Sequence, residues 1–172
     1  MKKNHRKALS RTFPAYHPKA GESTFFVEKV WTSIADKYQA SLKSTEDLNE
    51  KNMAQVWDFL ISIDKQTIQQ PKHHTIRDGH KVKVGDTITF YVWLGTPYRS
   101  PQIVIAPPIV VKKVWDFEIA NAVYRMGKDG WIAPIDEIAK NDGLSKNDLL
   151  EWFEYPKPFS GQIICWDDKI EY

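Results

Sequence analysis

The chain has 172 residues and a mass of 20.0 kDa, with 42% hydrophobic residues, 27% charged residues and a net charge of +2. That is the profile of one globular domain able to bury its own core, and seven Trp within 13% aromatics exclude a wholly disordered chain. A single cysteine, Cys165, excludes an intrachain disulfide and a cysteine metal cluster, and points to a reducing compartment.

Charge is unevenly spread. Residues 1–11 carry +5, residues 12–64 carry −3, residues 65–113 carry +6 and residues 114–172 carry −6. A basic start and a basic middle suit a polyanionic partner; they equally suit a solvated arm and a sheet edge guarded by lysines. No apolar run approaches the ~20 residues needed to cross a bilayer. The most apolar stretch, residues 103–111, is broken by Pro107 and Pro108. No apolar segment follows the basic start, so a cytoplasmic protein without membrane contact is expected.

In chain order, residues 1–11 read as a flexible basic arm, and residues 11–22 are rich in turn formers. Ser23 or Thr24 caps a helix reaching about Tyr38, in which Phe26, Val30, Ile34 and Tyr38 share a face that Val27 and Trp31 widen. Residues 40–52 are a polar linker. Met53, Val56, Trp57 and Leu60 then have the spacing of a second amphipathic helix, within a helical insertion over about 40–71. At residue 75 the period changes from helix to strand. Over residues 87–94, Ile88, Phe90, Val92 and Leu94 alternate with Thr87, Thr89, Tyr91 and Trp93. Residues 101–106 and 109–118 are strands parted by the two prolines. Residues 127–130 form a turn, residues 135–141 and 146–154 form short helices with Ser145 capping the second, and residues 160–167 form a last strand. Early helices, central strands and late short helices predict an α+β fold with a small β-barrel, not alternating βαβ units.

The most informative segment runs Lys72, His73, His74, Thr75, Ile76, Arg77, Asp78, followed by Lys83, Val84, Gly85, Asp86. Downstream stand Ala139, Lys140, Asn141, Asp142, Gly143, Leu144 and Ser145, then Asp148, Leu149, Leu150 and Trp152. Together they resemble the signatures of ASCH (activating signal cointegrator homology) domains, of the PUA-like superfamily. There a Lys, two spacers and Thr-Ile-Arg enter the barrel, and an acidic-Gly-x-Ser element caps a helix beside the cleft. The resemblance covers residues 72–170 and the helix at 24–38. It implies a single PUA-like domain over residues 12–172, with flanking helices.

Physical chemistry gives this segment its own meaning. Thr75 and Arg77 lie two apart, so a strand points them to one side and His74 and Ile76 to the other. An inward Arg demands a carboxylate or an anion, and its planar fork suits a phosphate or a base edge. Asp142 can hold the cluster, and Arg77 can equally pair with Asp78, Asp86 or Asp142 for stability alone. The favoured expectation is an RNA or nucleotide-like ligand in a cleft of Lys72, Thr75, Arg77 and Asp142. A rim of Lys81, Lys83, Tyr91, Trp93, Arg99 and Lys112 would track phosphates and stack bases.

Two alternatives stand beside it. The resemblance extends to an acetylcytidine amidohydrolase branch that uses a Thr, a Lys and a Glu, which match Thr75, Lys72 and Asp142. In that reading a base activates the weak Thr hydroxyl, and the Lys serves as base once its pKa is lowered. The chain departs from that branch at the acid, where Asp142 is shorter than a Glu. The third reading is a protein-interaction module with a vestigial cleft. No metal is expected: His73 and His74 are adjacent and point apart in a strand, and the five His lack ligand spacing. No cofactor is expected, since the chain carries neither a phosphate-binding Gly-Lys loop nor a dinucleotide-binding glycine turn.

Overall fold

The structure is a computed structural model and describes residues 2–42, 70–120, 122–153 and 158–172. The expected helix around Met53, Val56, Trp57 and Leu60, and most of the expected insertion, lie outside the described residues. The fold is mixed α+β, with nine strands in two sheets and three helices among the described residues. No helix there is long and apolar enough to cross a membrane.

The segment expected to be a free basic arm is a strand, β1 (Asn4–Ala8), paired in parallel with β3 (Thr87–Trp93). Its charges do not oppose this, because β1 is an edge, where cations can stand clear of the core. Its polar groups also find specific partners. The Asn4 amide oxygen accepts from Thr87 and Thr89 at 3.1 Å each. The Asp86 carboxylate accepts from the Lys3 backbone N–H at 2.9 Å and meets His5 Nε2 at 2.8 Å.

On the far side of β3 lie β4 (Gln102–Val104) and β5 (Ile109–Val110), both antiparallel to it. Tyr91 faces Val104 and Ile88 faces Ile109, so three steps along β3 correspond to five on the opposite side. The surplus residues surround Pro107 and Pro108, which cannot donate to the ladder. Leu94, expected on the buried face, lies beyond the end of β3 and is exposed.

The stretch expected as one strand over 109–118 is divided between sheets. The Val111 N–H donates to Asp86 in the first sheet, and the Lys112 N–H donates to Cys165 in the second. From there β6 (Lys113–Ala120) joins the order β2 (His74–Asp78), β9 (Phe159–Cys165), β6, β7 (Val123–Met126), β8 (Trp131–Ile132). The expected closed barrel is therefore replaced by two separate hydrogen-bonded sheets among the described residues. Strand β9 lies between β2 and β6 and approaches β2 closely because residue 161 is Gly: a Cβ there would collide with the Arg77 carbonyl oxygen.

Helix α1 (Phe26–Leu42) buries Phe26, Val30, Trp31 and Ile34 in the common core, as its spacing predicts. Thr24 stands two residues before it, its Oγ1 accepting from the Phe26 N–H at 3.3 Å. Helices α2 (Ile135–Asn141) and α3 (Lys146–Phe153) fill the connection from β8 to β9. Helix α2 ends in a Schellman motif: Gly143 N–H donates to Lys140 and Leu144 N–H to Ala139. Gly143 adopts φ +75°, so glycine is the residue that can sit there at no steric cost. Ser145 caps α3, accepting from the Asp148 N–H at 3.1 Å.

Candidate functional site

Strand β2 and the C-terminus of α2 converge on one buried cluster. Lys72, His74, Thr75 and Asp142 are each no more than 3% exposed. Lys72 Nζ lies 2.5 Å from Asp142 Oδ1 and donates to the Asp142 backbone carbonyl at 2.8 Å. The geometry is economical. Asp142 is the C-cap of α2, where a carboxylate opposes the helix dipole; the ammonium of Lys72 neutralises the carboxylate and satisfies a terminal carbonyl together. The amine also sits 4.2 Å above the Phe26 ring.

Arg77 Nη2 donates to the Ala8 carbonyl at 2.6 Å, tying β2 to the end of β1. Its buried Nε has no hydrogen-bond partner among the described residues. The register opposes Arg77 to Gln162 of β9, whose amide is taken up by Val82. The expected pairing of Arg77 with an acid is thus replaced by a contact to a backbone carbonyl, with Asp142 acting on it as a nearby charge. Lys29 closes the far side by donating to the Gly143 carbonyl at 2.6 Å.

Burial governs the protonation of this cluster. It lowers the Lys72 amine to about 8, opposed first by the charge of Asp142 and reinforced by Arg77 and Lys29. Burial raises the Asp142 carboxyl, opposed by Lys72, Arg77 and Lys29. Burial, then Lys72 and His73, hold His74 well below the ordinary histidine range, so its ring is neutral at pH 7. Both ring nitrogens face polar groups. The Asn141 amide donates to the Tyr172 hydroxyl at 3.0 Å, and that hydroxyl is hydrogen-bonded to His74 Nδ1 at 2.9 Å. The other ring nitrogen, Nε2, stands 3.6 Å from Asp142 Oδ1. His73 turns away and pairs with Asp167 at 2.8 Å.

The four residues expected to form the ligand cleft, Lys72, Thr75, Arg77 and Asp142, do line one cavity, together with Ser10, Phe26, Trp152 and Phe153. That cavity measures about 30 Å³, room for a water. Beside it opens a groove of about 1230 Å³ between residues 8–12, the start of α1 and the β3–β4 hairpin. Ser10 and Phe26 line both spaces and form the wall between them.

The expected rim residues fall on separate segments of the chain. Lys81 and Lys83 are on the β2–β3 loop, Arg99 is on the β3–β4 loop and Lys112 is at the crossing between sheets, all exposed. Tyr91 and Trp93 are half-buried neighbours, with ring centroids 5.7 Å apart. Sequence reasoning missed Lys7, whose amine is lowered by burial and by the charges of Arg77 and Lys81. It also missed Tyr172 and Lys29. The basic composition of residues 1–11 pointed to Lys7, but nothing local marked the other two.

Comparison with family models, with curated proteins and with solved structures returns no match.

Proposed function

We propose that this chain is an RNA- or nucleotide-binding protein of the ASCH type, with a PUA-like arrangement of its sheets. The observation that carries the reading is an excess of cations around one buried carboxylate. Lys72, Arg77 and Lys29 all act on Asp142, and Arg77 and Lys81 both repel Lys7. Lys29 is also drawn to Asp148 and Glu28 and Arg77 is turned to the Ala8 carbonyl, which leaves Lys7 and the exposed Lys81 as the cations of this set that can meet an external anion. Phosphates supply such an anion at regular spacing, and a large groove opens at Ala8, the residue after Lys7.

The amidohydrolase reading draws on the lowered Lys72 amine beside Thr75. Against it, that amine is engaged twice by Asp142, and the cavity at Thr75 admits a water but not an acylated nucleobase. The interaction-module reading draws on the exposed apolar residues of the groove but leaves the cations without a role.

The test is RNA affinity as a function of salt, for single-stranded and structured RNA. Lys7→Gln and Lys81→Gln are each expected to weaken binding and to reduce the slope of log affinity against log salt by about 0.7 for single strands. Absence of binding at low ionic strength to both RNAs sinks the proposal. Turnover of N-acylated cytidines that disappears in Thr75→Ala would establish the hydrolase instead.

A further inference from the structure

The large groove carries features that the buried cluster does not explain. Tyr91, Trp93 and Tyr98 form a run of rings, with centroid spacings of 5.7 and 5.3 Å. Arg6 extends it, its guanidinium 5.3 Å from the Tyr91 ring centroid and hydrogen-bonded to Gln102 at 2.7 Å. Trp93, Tyr98 and Gln102 all line the groove.

Tyr98 is the unusual member. It is 89% exposed and holds φ +64°, a left-handed conformation uncommon for a tyrosine. The loop that imposes this is fixed from within: Ser100 Oγ accepts from Gly95 N–H and donates to the Thr96 carbonyl, both at 2.9 Å, and Arg99 N–H donates to Thr96. A large aromatic side chain is thereby held in water on a constrained turn, where neither core packing nor backbone preference accounts for it.

Charge selects the occupant. Among the described residues, Arg11 and Glu28 are the charged residues lining the groove, while Arg6 stands at its ring end and Arg99 follows Tyr98 in the loop. Counted with its flanks, the groove sets Arg6, Arg11 and Arg99 against Glu28 and Glu22, which lies between the lining residues Gly21 and Ser23, and this net positive balance favours an anionic chain. Rings spaced along its path favour a chain that carries flat π-faces. An extended apolar peptide would use the exposed Leu94, Ile103 and Val104 but would bring the three arginines no anion.

We infer that the groove along the β3–β4 hairpin is a base-stacking site for single-stranded nucleic acid, in which Trp93 and Tyr98 stack bases and Arg6, Arg11 and Arg99 meet the phosphates. The inference rests on the nucleic-acid reading above and deepens it by locating the bases away from the Lys72 cluster.

The experiment uses the full chain and a fluorescein-labelled oligouridylate of about ten nucleotides, within the range of single-strand site sizes. Binding is read by anisotropy at low salt. Tyr98→Ala is the principal variant, because an exposed loop side chain can be removed with the fold intact; circular dichroism checks this. Dissociation constants are expected to rise at least about fivefold in Tyr98→Ala and in Trp93→Ala, and to stay within about twofold in Tyr98→Phe, which keeps the stacking face. If the wild type binds oligouridylate and both alanine variants bind equally well, the groove inference is overturned while the nucleic-acid reading stands. If the wild type does not bind at all, that reading fails and this inference with it. Saturable binding of an extended valine/threonine-rich peptide instead, lost in Tyr98→Ala, would reassign the groove to a protein strand and overturn the proposal.

Discussion

Lys72 and Asp142 form a pair that neither partner leaves without stranding a buried charge. Asp142→Ala is expected to destabilise the protein by about 3–5 kcal/mol, because it abandons the Lys72 ammonium in the core. Replacing both, as Lys72→Met with Asp142→Leu, is expected to recover most of that loss. Urea midpoints of the two single variants and the double variant measure the coupling. The pH dependence adds an independent sign. The Lys72 pKa is lowered to about 8 in the fold against about 10.4 in the unfolded chain. Between those values the unfolded state holds more protons, so stability rises with pH there. The penalty is full below about 8 and is relieved as the amine loses its proton. This rise should shrink in the double variant; an unchanged rise would show that Lys72 is not its source. At this scale the sequence was legible in two ways: strand spacing puts Thr75 and Arg77 on one side, and the resemblance, not spacing, suggested Asp142 beside Lys72. It was not legible in Tyr172, Ser10 and Lys29. Each reaches the cluster through tertiary folding, with no local pattern to announce it.

At the scale of elements, β1 has the most to teach. Its strand character was hidden because composition marked residues 1–11 as solvated, whereas the groups that hold β1 lie some eighty residues away. Helix α1 was visible because a buried stripe repeats along its own sequence. The crossing between β5 and β6 was not, because consecutive strand-forming residues do not reveal a change of partner. Asp86 anchors β1. Hydrogen bonds from the Lys3 backbone, then His5, with Lys83 contributing, hold its carboxyl down to about 2. A carboxylate depressed in the fold stabilises above its unfolded pKa of about 4, and the contribution is lost as pH falls toward the folded value. Asp86→Asn should therefore be less stable than wild type at pH 7, and the gap should close between about pH 4 and 2. Urea midpoints across that window check the sign. A gap independent of pH would assign the loss to packing at residue 86 instead of to its charge.

At the scale of the whole molecule, alternation told which residues turn inward but not how many sheets they build. Inward residues of a barrel and of two facing sheets carry the same period, so the resemblance to a PUA-like barrel decided the expectation and the hydrogen-bond pairing revised it. What unites the two sheets is a shared core. Ile88 and Phe90 from the first, Phe117 and Ile163 from the second, and Val30 and Ile34 from α1 belong to one buried cluster. Phe90 meets Trp166 edge-on at 5.3 Å, and the Trp166 indole N–H donates to Ser33 of α1 at 3.0 Å. A core shared in this way cannot lose one sheet without exposing the apolar face of the other. The protein is therefore expected to unfold in one cooperative step. Native-state hydrogen exchange tests this directly, through the slowest amides of β3 and of β9. Their opening free energies should agree within about 0.5 kcal/mol, and both should match the global value from urea unfolding. A difference above about 2 kcal/mol between the sheets would show two units that open separately, and would overturn the single-core account on which the position of the groove against the Lys72 cluster depends.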